Sequence, residues 1–330
     1  MTRGSRWWDP RVRLPVTGAV LLAVGICGGL YLLREHPRVC DGATLPITVA
    51  AAPDIAPALG EIAARFNLQT HEVVSLSGSR CVRVAIVTRD PSRVAQAPAA
   101  RRGADGWVPD SSMWLLRARA AGMPAVGKGT PLAASPVVIV VPRAVAAELR
   151  ARRVAGSWRL LRYAPLRASV RALDPVRSAA GAATTIAVRE TIGTTALRRD
   201  LDPARLYESF AGLAGLRRPL IVAAEQSVVG YNDTHRPNPA AVILPAEGTI
   251  LLDHPLAATT ADPLRVQAID AFRWMLGARQ ALETFQRYGF RQPDGRFAPE
   301  YAGEFGLRPT IPKVLPQPGE VQVAAAMLGQ

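Results

Sequence analysis

Apolar and polar positions along this 330-residue chain alternate between two rhythms. LPITVAAA (45–52) is a short, nearly unbroken apolar run, the pattern of a buried strand. In PDIAPALGEIAARFN (53–67), Ile55, Leu59, Ile62 and Phe66 recur at helical spacing. That spacing predicts an amphipathic helix, with Asp54 as a candidate N-cap and Pro57 in the first turn. The two rhythms then repeat. HEVVSL (71–76), CVRVAIV (81–87) and GADGWVP (103–109) predict strands, and SSMWLLRARAAG (111–122) predicts a helix capped by Asp110. SPVVIVVP (135–142), ASVRALD (168–174), PLIVAAEQ (219–226) and AAVILPAEG (240–248) predict further strands. RAVAAELRARR (143–153) and the stretch from Pro175 read as helices, and 262–289 reads as one long helix. The alternation predicts an α/β fold of two lobes with mainly parallel sheets, and no fixed-period repeat is present.

The N-terminus breaks this rhythm. Residues 14–33 contain no charged side chain, and about 20 apolar residues suffice to span a bilayer. Arg3, Arg6, Arg11 and Arg13 precede the run against a single acid, Asp9. The positive-inside rule therefore places residues 1–13 in the cytoplasm and the chain after Leu33 outside, as a single-pass plasma-membrane protein. A cleaved signal peptide is the rival, but LREHPRVCDGA offers no A-x-A site. Cys27 lies within the apolar run, which leaves Cys40 and Cys81 as a candidate disulfide in an oxidising compartment. Two free buried thiols are the alternative.

The formal net charge of +14 raises the question of a polyanionic partner. The basic residues are almost all arginine, in a chain dominated by Ala, Arg, Pro, Gly and Val, the bias of a GC-rich coding sequence. The densest run, from Arg150 to Arg171, has no stacking aromatics interleaved as in single-strand binders, so nucleic acid is not an expected partner. His36, His71, His235 and His254 are scattered, zinc spacings are absent, and neither a metal nor a cofactor is expected. GMPAVGKGT (122–130) has Gly129 where a P-loop needs Ser or Thr, and no G-x-S-x-G elbow occurs, so no catalytic residue is assigned.

Polar turns recur where predicted strands run into helices: AAPD (51–54), LSGS (76–79), PDSS (109–112), DPVRSAAG (174–181) and AEQS (224–227). In open α/β sheets, ligands sit beyond the carboxyl ends of strands. Asp54, Ser77, Ser79, Asp110, Ser111, Ser112, Ser178, Glu225 and Gln226 are therefore candidate ligand contacts. The competing reading makes the aspartates and serines ordinary helix caps. Acids in these turns disfavour a small oxyanion, leaving neutral polar or cationic ligands open.

Taken in order, ITVAAAPDIAPALGEIAARFN, the Cys81 strand, WVPDSSMWL, SPVVIVVP, ALDPVRSAAG, EQSVVGYN, LPAEGTILLDHP and YGFRQPDG resemble a bacterial family. It is the actinobacterial-type substrate-binding and von Willebrand A domain-containing membrane proteins, over about residues 40–320. The resemblance implies a type 2 periplasmic-binding-protein-like fold behind one transmembrane helix, as in the solute receptors of ABC importers. It implies lobe one at 45–134 plus 246–310, lobe two at 135–245, a linker at 34–44 and a proline-rich tail at 311–330, with SPVVIVVP and AVILPAEG as connecting strands. A von Willebrand A domain, with its D-x-S-x-S metal loop, is expected after the tail; the chain stops at Gln330, so no such site is carried over. The expected function is a non-catalytic, membrane-anchored receptor for a small polar solute, with an ABC permease or cell-envelope partner. The alternative is a surface scaffold that has lost solute binding.

Overall fold

The computed structural model describes residues 42–75, 78–96, 103–123, 129–162, 170–193, 197–211, 219–235, 237 and 239–328. The expected membrane span at 14–33 lies outside these, as do Cys27, Cys40 and Ser77. Among the described residues, no helix is long and apolar enough to cross a membrane.

The apolar run at 45–52 becomes β1 (Ala43–Ala51), near the centre of the first sheet. The strand order is β2 (Glu72–Ser75), β3 (Gly78–Thr88), β1, β4 (Gly106–Val108), β12 (Pro255–Ala258), β5 (Thr130–Pro131). α1 (Ala56–Leu68) packs Leu59, Ile62 and Phe66 against this sheet, in a core shared with Ile269, Phe272 and Phe285. The second sheet runs β10 (Ala240–Ile243), β6 (Ser135–Pro142), β9 (Leu220–Ala224), β7 (Val170–Leu173), β8 (Arg198–Leu201), with β11 (Leu251–Leu252) also on β6.

Both sheets are mixed rather than mainly parallel. β1 runs parallel to β3 and β4, and β7 parallel to β8 and β9. β6 is antiparallel to β9, β10 and β11, and β12 is antiparallel to β4 and β5. An unbroken apolar run such as SPVVIVVP marks a strand covered on both faces, and every residue of β6 is buried. That signature reports burial, not strand direction. The expected long helix also divides, into α8 (Pro263–Leu276) and α9 (Arg279–Arg287). Gly277 ends the first, since glycine weakens a helix interior by about 1 kcal/mol, and the extended Ala278 redirects Phe285 and Phe290 into the core.

The chain crosses between the sheets at Leu132–Ala134 and at Asp253–His254. A third crossing is the proline-rich segment, strapped to the body where Thr249 and Leu315 exchange backbone hydrogen bonds with their neighbours. It leads into α11 (Glu320–Leu328), whose Val323, Ala326 and Met327 are buried. α11 packs against α3 (Ser112–Ala120) beside the first sheet and α5 (Ala179–Ile192) beside the second.

One ion pair ties the crossings together. Glu225, the first residue of α7 (Glu225–Thr234), and Arg291 are both fully buried. The guanidinium donates to both Glu225 oxygens, at 2.5 and 2.9 Å, and to the carbonyls of Gly295, Arg308 and Pro309. The Arg291 backbone pairs with Ala134, on the first crossing. Burial pushes the Glu225 carboxyl upward, and Arg291 pulls it back. A buried charge that loses its partner costs about 3–5 kcal/mol. Arg291→Ala is therefore expected to lower the unfolding free energy by about that amount in guanidinium titrations, and Glu225→Leu combined with Arg291→Met to recover much of the loss. A loss below about 1 kcal/mol for the single variant contradicts this role.

Candidate functional site

β1 and β4 are parallel neighbours, with Ala51 opposite Val108. The residues just past their carboxyl ends therefore emerge side by side: Pro53 and Asp54 from β1, Pro109 and Asp110 from β4. In the second sheet, β7 and β9 are likewise parallel, with Ala172 opposite Val222. Their continuations bring Arg177 and Ser178 beside Gln226 and Ser227. Gly181 permits the close approach of α5 to β7, since a Cβ there would stand 2.5 Å from the Leu173 carbonyl oxygen. The four strand ends open on one cavity of about 550 Å³ between the sheets. Asp54, Asp90, Asp110 and Trp114 line one side, and Arg177, Ser178, Tyr207 and Gln226 the other. Pro53, Pro57, Leu206 and Tyr288 make much of the remaining wall apolar.

Behind Asp54 and Asp110 stands a histidine that no motif marks. His254 is fully buried, at a positive φ of 38° in the turn between β11 and β12. Its Nε2 lies 2.8 Å from Asp54 Oδ2, and its Nδ1 lies 3.1 Å from the Leu252 carbonyl oxygen. Both partners are acceptors, so both ring nitrogens donate and the ring is an imidazolium. Burial opposes that charge, but Asp54 first, then Asp110 and Asp253, outweigh it and hold the His254 pKa above its ordinary value. With both nitrogens engaged, this imidazole carries no lone pair to act as a base.

Asp110 is the group left unsatisfied. Its Oδ1 is buried without a hydrogen-bond partner, and so is the indole N–H of Trp114. Burial first, then repulsion from Asp54, push its carboxyl up to about 7, against the pull of His254. The Trp114 N–H also stabilises the ionised form, though without a well-formed hydrogen bond.

The structure distributes the remaining sequence candidates as follows. Asp110 does not cap α3; Ser111 does, accepting from the Met113 N–H at 3.3 Å, because its extended backbone turns the hydroxyl back over the first turn. Asp54 does not cap α1, whose N-cap position is Ile55; its Oδ1 accepts from the Ile55 N–H, freeing Oδ2 for His254. Ser112 gives its N–H to Asp253 Oδ1 at 2.7 Å. Ser178 lines the cavity and caps α5, and Gln226 lines it while donating to the Tyr288 carbonyl. Ser79 sits on β3, paired opposite Val74 and away from the cavity, and Glu225 is turned inward to Arg291. The sequence reading missed Asp90, Arg177, Tyr207, Asp253, His254 and Tyr288. The DHP turn at 253–255, polar between two strands, is the one local signal that could have drawn attention to His254.

Raised pKa values at Asp110 and His254 act on stability in the same direction. The native state holds protons that the unfolded chain releases, so this stability is complete at low pH and fades as pH rises. For Asp110 the window runs from its ordinary 3.8 to about 7. The unliganded protein is therefore expected to be more stable at pH 5 than at pH 8. Asp110→Asn should stabilise it by roughly 2–4 kcal/mol at pH 8 and by clearly less at pH 5, where the native Asp110 is still protonated, read by denaturation at both values. An equal effect at the two pH values rejects the assignment.

The fold recurs among solved structures. The sulfate-binding protein SubI from Mycobacterium tuberculosis H37Rv is 21% identical, with a TM-score of 0.55 over 82% of this chain and 93% of that one. A periplasmic thiamin binding protein is 13% identical, with a TM-score of 0.60 over 87% and 94%. Trichodesmium IdiA (FutA), in complex with iron and citrate, is 10% identical, with a TM-score of 0.56 over 86% and 95%. At these identities the likeness is one of fold. No curated protein matches the sequence. The profile of the bacterial extracellular solute-binding proteins matches residues 47–291, the span holding both sheets and the whole cavity lining, and the chain belongs to that family.

Proposed function

We propose that this protein is a non-catalytic receptor that holds one small solute between its two sheets and presents it to an ABC permease. The cavity of about 550 Å³ at the carboxyl ends of four strands carries the reading. Two buried polar groups on its wall, Asp110 Oδ1 and the neighbouring Trp114 N–H, lack a well-formed hydrogen bond within the protein, which supports a site completed by a bound molecule. The neighbours' names point to sulfate, thiamin and iron with citrate, so they support solute binding without selecting the solute. Residues 14–33 serve as the membrane anchor, supported by their length, their apolar character and the arginines before them.

The exported domain is held at its start by a Cys40–Cys81 disulfide. Cys81 carries no titratable thiol, is buried on β3, and has its sulfur 2.8 Å from the carbonyl oxygen of Gly42, two residues from Cys40. Closing a loop of about 40 residues contributes roughly 3–4 kcal/mol in the chain-entropy model. Mass spectrometry of a non-reduced digest is expected to recover the two cysteines in one linked peptide; alkylation of both without reductant refutes the bridge.

Solute binding is tested by thermal unfolding of the full chain in detergent against sugars, amino acids, amines and oxyanions. A ligand at a hundred times its Kd adds about 2.7 kcal/mol of stability. Ala204 is an exposed residue of the cavity wall, so Ala204→Trp fills the cavity without touching the core and is expected to abolish the response. Silence across the whole panel rejects the receptor and favours the surface scaffold.

A further inference from the structure

We propose that the solute is an organic ammonium ion with a hydrogen-bond acceptor beside the charged nitrogen, the nitrogen seated on Asp110 and the acceptor on the Trp114 N–H. This rests on the reading of the cavity as a solute site and goes beyond it by assigning the charge and chemistry of the solute.

The first argument is the supply of positive charge. Among the described residues Arg177 is the one basic residue of the wall, and one of its guanidinium N–H groups is bound to Asp202 at 2.8 Å. His254 is fully buried, and its two N–H groups are spent on Asp54 and Leu252. Against these the wall presents Asp54, Asp90 and Asp110. With Asp54 balanced by His254 and Arg177 by Asp202, Asp90 and Asp110 remain, and the surplus is acidic.

The second argument is the fate of the helix N-termini. Anion receptors use the free amides there. Here several of those amides are taken by the protein's own side chains. Asp90 accepts from the Ser92 and Arg93 N–H groups at the start of α2 (Pro91–Gln96). Ser111 and Asp253 take those of Met113 and Ser112, and Ser178 takes that of Gly181. Ser135 takes that of Gln226, and Asp202 takes that of Ala204. At these positions an oxyanion would meet a carboxylate or a serine in place of a bare N–H group.

The third argument is the unsatisfied pair. A buried carboxylate oxygen calls for a donor, and a buried indole N–H calls for an acceptor. The two groups lie close enough for Trp114 to bear on the ionisation of Asp110. One molecule satisfies both if it carries an N–H donor and an oxygen on adjacent atoms, as a protonated amino alcohol does. The apolar wall of Pro53, Pro57, Leu206 and Tyr288 then accommodates a hydrocarbon body.

The test compares four probes that share one body and differ in charge and donor set. They are 2-amino-1-phenylethanol, 2-phenylethylamine, 1-phenyl-1,2-ethanediol and mandelate, titrated by calorimetry into the full chain in detergent at pH 8. Ethanolamine, sulfate, phosphate and glucose are titrated alongside. The amino alcohol is expected to bind tightest, the amine next, and mandelate not to bind. Asp110→Asn is expected to weaken the amino alcohol by about 30-fold or more while keeping a cooperative thermal transition. Mandelate binding as well as either amine, or amine binding unchanged in Asp110→Asn, overturns the proposal. Binding of sulfate, phosphate or glucose without either amine also overturns it, while leaving the receptor standing. No binding in any arm overturns this proposal, while the receptor stands or falls by the broader thermal panel.

Discussion

A fully buried guanidinium organises this molecule. Arg291 is held from both sides: by Glu225, at the head of a helix of the second sheet, and by three backbone carbonyls of the segments that return from the first. Desolvating two charges is costly, and their attraction offsets the cost only when every hydrogen-bonding site is filled and the geometry is fixed. The pair is therefore a weak contributor to net stability and a strong determinant of geometry. Two of the three passages between the sheets, at Ala134 and along the segment through Arg308 and Pro309, bond to Arg291, which fixes the spacing of the strand ends they connect. A solute site assembled from four strand termini depends on that spacing being the same in every molecule.

Each aspartate at the β1 and β4 termini does something different, although the sequence presents them as equivalent turn residues. Asp54 is bonded through both oxygens, to the Ile55 N–H and to His254. Asp110 lies next to that ring without a partner of its own. His254 stabilises one neighbour and, through it, leaves the other to be satisfied from outside. The backbone turn that brings this ring into place has a φ rarely adopted outside glycine. Such strain persists only where the surroundings over-determine it, and here bonds at both ring nitrogens do so.

Much of this arrangement was legible in the sequence because it is local. Strand runs, helical spacing and polar turns are short-range patterns, and the turns at 51–54, 109–112, 174–181 and 224–227 contain six polar cavity-lining residues, Asp54, Asp110, Arg177, Ser178, Gln226 and Ser227. What stayed hidden is long-range. His254 meets Asp54 across 200 residues, and Glu225 meets Arg291 across 66. Glu225 sits in the same kind of turn as Gln226, and nothing in its immediate neighbours says that it turns inward. Strand direction was misread for a related reason: β6 is apolar because both its faces are covered, and coverage is a property of the assembled fold.

The helix α11 gives the cavity an outlet. It rests on α3 and α5 together, and each of those helices begins at the cavity wall, one from each sheet. Any separation of the two sheets therefore either strips α11 from one of its supports or draws it along. If separation of the sheets accompanies solute binding, linkage makes the coupling reciprocal: a force that lifts the helix would weaken the solute by the same factor by which the solute secures the helix. The C-terminal segment is in that sense a tether whose slack is set by what lies in the cleft.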